Sequence, residues 1–112
     1  MTRHEQLQLI EAARERIISS AHARGIPLVR VEFLVPFVAD DFSLSTWLFY
    51  DTDVSTAARE ADGTTATLQS EFVAALRALG YPDQWASEID FCVDSHENVV
   101  RSYEGSYFYR LR

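Results

Sequence analysis

The hydrophobic patterns of the chain predict an α+β fold with the element order α-β-β-α-β-β: a four-stranded antiparallel sheet with two helices on one face. Three observations lead there. Apolar residues recur at the helical period in two stretches, 5–24 and a second ending near Leu79. Alternating segments occupy 28–39, 44–51, 87–94 and 99–104. Turn residues separate these segments so that two hairpins form, each preceded by a helix. The chain has 112 residues, 47% of them hydrophobic and 24% charged, which suits one core; the expected organisation is one domain over 1–112.

In the first helix, Leu7, Ile10, Ala13, Ile17, Ile18 and Ala21 fall on one face, with Glu11, Glu15 and Arg16 elsewhere. Gly25 stops this helix and Pro27 follows. In 28–39, Val29, Val31, Phe33 and Val35 are expected on one side of a strand, and Arg30 and Glu32 on the other. Pro36 removes a ladder donor, which suits an edge, a bulge or the strand's end. Asp40-Asp41 make a turn. Residues 44–51 are apolar on both faces, Trp47 and Phe49 on one and Leu48 and Tyr50 on the other, so this strand belongs in the middle or is covered twice.

Residues 52–66 are weakly patterned, with a short helical turn expected around Val54–Ala61. Thr64, Thr65 or Thr67 caps the second helix, which points Leu68, Phe72, Ala75, Leu76 and Leu79 inward and ends at Gly80 before Pro82. In 87–94, Ile89, Phe91 and Val93 face the core while Glu88, Asp90, Cys92 and Asp94 face out. A turn at 95–98, a strand over 99–104, a kink at Gly105 and extended chain over 106–111 complete the expected second hairpin.

Composition narrows the function classes. No apolar run reaches the ~18–20 residues that span a bilayer, and the N-terminal residues lack the apolar segment of a secretory signal, so a cytoplasmic protein is expected. Seventeen acids face ten bases, all arginine, for a net charge of −7. Residues 40–104 carry thirteen of the acids and only Arg59, Arg77 and Arg101. Such a chain repels nucleic acid and anionic lipid and steers a basic partner toward itself.

The residues that carry catalysis are sparse. His4, His22 and His96 show no metal-ligand spacing, and Cys92 is the one cysteine, so no metal or cofactor is expected. Cys92 lies between Asp90 and Asp94, an anionic setting that opposes thiolate formation. The four glycines stand apart and form no phosphate loop. No catalytic residue is expected and the protein reads as a non-enzyme. Two readings stay open. One is a protein-binding surface on the outer face of the second hairpin, made of Glu88, Asp90, Asp94, Glu97, Tyr103, Glu104 and Tyr107: carboxylates suit a basic partner and tyrosines are common anchors. The other is a small-molecule or enzymatic site between the sheet and the 52–66 loop.

The element order, the second strand Trp47-Leu48-Phe49-Tyr50, and the run from Trp85 through Glu88-Ile89-Asp90-Phe91-Cys92-Val93-Asp94-Ser95 to Val99 and Tyr103-Glu104 resemble the YezG-type immunity proteins of bacterial polymorphic toxin systems. The resemblance implies a cytoplasmic antidote without catalysis that binds a cognate toxin domain, many such toxins being nucleases with basic active surfaces. The expected partner is that toxin, with no nucleic acid and no membrane, and a homodimer stays open.

Overall fold

The computed structural model describes residues 1–112. Its elements are α1 (Arg3–Ala23), β1 (Leu28–Leu34), β2 (Ser45–Tyr50), α2 (Asp53–Ala61), α3 (Thr64–Ala78), α4 (Asp83–Ala86), β3 (Asp90–Ser95), α5 (His96–Tyr103) and α6 (Tyr107–Leu111). The fold class is α+β, but the sheet has three strands in the order β1-β2-β3, and β2 and β3 run parallel. The expected four-stranded antiparallel sheet is therefore corrected.

α1 starts where the Thr2 hydroxyl accepts the Glu5 N–H, satisfying an end donor that the helix itself leaves free. It buries Ile10, Ala13, Ile17 and Ala21 as the spacing predicts, together with Gln6. Burial of that amide is matched by hydrogen bonds: its Nε2 donates to the Phe42 carbonyl at 3.1 Å and to the Tyr81 hydroxyl at 2.8 Å. These bonds tie α1 to the β1–β2 loop.

β1 departs from strict alternation. Leu28 pairs with Tyr50 and Arg30 with Phe49, so Val29 is an extra residue, a β-bulge. The bulge turns Leu28 and Val31 both toward the core and leaves Val29 exposed, against the expectation that Val29 faces inward. β2 is central, and its Leu48 and Tyr50 pack with Ile10, Ile17, Leu68, Phe72 and Leu76 in the main cluster of buried side chains. Phe72 meets Phe91 edge to face at 6.1 Å.

The second half differs most. The 51–89 segment carries three helices and returns the chain to the end where β2 begins, so β3 enters parallel; a crossover of this length is what a parallel pair needs. The expected strands over 99–104 and 106–111 are helices α5 and α6. The Ser95 hydroxyl accepts the Asn98 N–H and starts α5; Glu104 at φ 57 and Gly105 at φ 77 end it in left-handed conformation. The Ser106 hydroxyl accepts the Tyr109 N–H and starts α6.

Candidate protein-binding surface

The sheet face away from α1 and α3 is not open: the C-terminal helices lie on part of it. Tyr107 meets Phe49 edge to face at 4.7 Å, and Phe49 is fully buried. The Arg30 guanidinium sits 4.1 Å above the Tyr107 ring, and the Tyr107 hydroxyl is 2.7 Å from His96 Nδ1. Arg110 lies 4.4 Å from the Trp47 ring and 5.1 Å from the Tyr103 ring, and its Nε donates to Asp94 Oδ2 at 2.6 Å. Burial pushes the Asp94 carboxyl up, but bonds from Arg110, Asn98 and the Ser95 N–H outweigh it and hold the carboxyl below its ordinary value. Burial raises the Tyr107 hydroxyl, with Arg30 opposing.

Three of the seven residues expected to bind a partner, Asp94, Tyr103 and Tyr107, thus make internal contacts that fasten the tail. Glu97 does similar work elsewhere. Its N–H donates to the Asp51 carbonyl at 3.1 Å and its Oε1 accepts the Asp53 N–H at 2.9 Å, which ties the start of α5 to the start of α2. Asp53 in turn accepts from Ser95 and from Arg101, and these bonds lower its carboxyl, the Ser95 bond most. Glu104 is exposed at the end of α5. The structure brings Asp94, Tyr103 and Tyr107 together and leaves Glu97 and Glu104 apart from them.

Glu88 and Asp90 are exposed where β3 begins, the end of the sheet that also carries the β1–β2 loop. That loop is held from α1: Arg3 Nη2 donates to the carbonyls of Pro36 at 2.6 Å, Val38 at 2.9 Å and Asp41 at 3.0 Å. The Asp41 carboxylate accepts the Ser43 N–H at 2.9 Å; this hydrogen bonding to Ser43 lowers its carboxyl. The same bonds present Phe37 and Val38 to solvent. Phe37 is fully exposed and Val38 is 66% exposed. Beside them is a groove of about 310 Å³ bordered by Leu34, Pro36, Leu44 and Asp90. Asp40, Asp41, Glu88 and Asp90 form no ion pair, unlike Asp53, Asp62, Asp83 and Asp94.

Phe37 and Val38 are not legible in the sequence as an exposed pair, because their apolar character continues the alternation of a strand over 28–39. The signal was Pro36 ahead of them and Asp40-Asp41 behind, which mark a loop. The 52–66 segment, set beside a small-molecule site in the second reading, carries the expected short helical turn around Val54–Ala61 as α2, Asp53–Ala61, whose Thr52 hydroxyl accepts the Ser55 N–H. No helix is long and apolar enough to cross a membrane. Comparison with family models, curated proteins and solved structures returned no match.

Proposed function

We propose that the chain is a bacterial immunity protein that binds a cognate toxin domain one-to-one in the cytoplasm and neutralises it by blocking its active surface. The partner chemistry that fits is a basic nuclease domain. The observation that carries this reading is Phe37, a fully exposed aromatic on a loop that Arg3 holds in place, at the end of the sheet where four acids lack ion-pair partners. An apolar anchor with an acidic surround is the chemistry of a protein interface: the anchor is desolvated and the carboxylates steer the approach. The reading involves no turnover, no cofactor, no nucleic acid and no membrane.

The test is co-expression with the product of the neighbouring gene. The account expects a one-to-one complex that abolishes the toxin's activity, and a Phe37→Ser variant that folds normally but binds at least about tenfold more weakly, the loss typical of an interface anchor. Full neutralisation by Phe37→Ser contradicts this placement of the surface.

A further inference from the structure

The sheet has two outer edges, and they differ. On β1, the Val29 bulge breaks the edge, Arg14 Nη1 donates to the Val31 carbonyl at 3.3 Å, and His22 Nε2 lies 3.3 Å from the Leu28 carbonyl. These features blunt an edge against further pairing. β3 packs against α2 at Ser95, whose hydroxyl donates to Asp53, but its edge has no bulge. The Asp90 N–H bonds the Leu44 carbonyl at 3.1 Å, and the parallel register then turns the backbone of Asp90, Cys92 and Asp94 toward β2. The N–H and C=O groups of Phe91 and Val93 point outward, and no side chain bonds to them. Alongside lies a groove of about 370 Å³ between α3 and this edge, bordered by Ala66, Ser70, Val73, Arg77 and Phe91.

We infer that the β3 edge takes a fourth strand from another polypeptide, an extended segment in which apolar and basic residues alternate. The added strand bonds through its backbone to Phe91 and Val93. Its side chains alternate between the two sheet faces. Those on the helix side enter the groove beside Val73 and Phe91, which favours apolar residues. Those on the other side lie beside Asp90 and Cys92, where the exposed Asp90 carboxylate favours arginine or lysine. A second copy of this chain fits less well: antiparallel self-pairing centred on Cys92 sets Asp90 opposite Asp94, whose carboxylate is already taken by Arg110, so it brings Asp90 no basic residue. The edge shares Asp90 with the acidic end beside the Phe37 loop, but it rests on the backbone of Phe91 and Val93 and does not depend on the partner being a toxin.

The experiment titrates the isotope-labelled protein with a hexapeptide of alternating arginine and valine, and with the same peptide N-methylated along one backbone edge. Binding of the first, with the largest amide shifts at Phe91 and Val93, supports the inference. The methylated peptide loses its backbone donors and should bind about tenfold more weakly. Val93→Pro should weaken the first peptide in the same way, since the proline removes an outward N–H and no bond to β2. Equal binding of the two peptides, or shifts that avoid Phe91 and Val93, overturns it. So does a free protein that already dimerises with these two amides protected from exchange. These outcomes read the backbone edge of β3, whereas Phe37→Ser in the toxin experiment reads the loop.

Discussion

Arg110 is the side chain on which the tail depends. It bonds Asp94 and lies over both Trp47 and Tyr103, while Asp94 keeps only 14% of its side chain exposed. Arg110→Ala should cost about 1–3 kcal/mol, because it removes a charge-assisted bond and two ring contacts and leaves a nearly buried carboxylate without its cation. Trp47 should then emit at longer wavelength as water reaches the ring. Acid should act on the same contact. The Asp94 carboxyl is held below its ordinary value in the folded chain, so the unfolded chain binds the proton more readily. Its contribution to stability is complete above the ordinary aspartate range, about pH 4, and is lost as pH falls through the lower folded value. Denaturant titrations between pH 6 and pH 2 check this: the acid loss should be smaller in Asp94→Asn, and an equal loss would assign the titration to another group. At this scale the sequence was informative about type and misleading about role. Asp94, Tyr103 and Tyr107 were legible as residues of a shared surface; that Arg110 would occupy it was not, since the partner of an ion pair leaves no local pattern.

The elements that were legible are those with long, regular patterns. α1 and α3 carry several turns of apolar spacing, and β2 is apolar on both faces, which fits its central place. Short elements were less so. Val99, Val100 and Tyr103 satisfy a helix as well as a strand, and over eight residues the two periods are hard to separate. The Ser95 cap and the left-handed Glu104 decide for α5, through hydrogen bonds and backbone conformation that hydropathy does not record. The direction of β3 was hidden for another reason: a parallel pair is set by the path of the 51–89 crossover, not by the strand's own residues. α3 offers the clearest check at this scale. Phe72 is fully buried and touches Phe91 across the helix–sheet interface, so Phe72→Ala should destabilise the fold by about 3–5 kcal/mol. An unchanged unfolding midpoint would mean that α3 does not seal the sheet.

For the whole molecule, charge and shape point to the same end. The net charge is −7, and Asp40, Asp41, Glu88 and Asp90 lie without ion-pair partners at the end of the sheet where Arg3 holds the β1–β2 loop through backbone carbonyls. The exposed Phe37 lies at that end. The central claim, that an acidic end with an apolar anchor captures a basic protein, predicts a kinetic signature. The deciding measurement is the association rate with the purified toxin domain across ionic strength, for the native chain and for Asp40→Arg/Glu88→Arg. Neither residue takes part in an ion pair, so both substitutions should leave the fold intact. The account predicts association slower by about tenfold at low salt, with the two rates converging as salt screens the charges. Rates that are equal at low salt, or that differ by the same factor at every salt concentration, would contradict it.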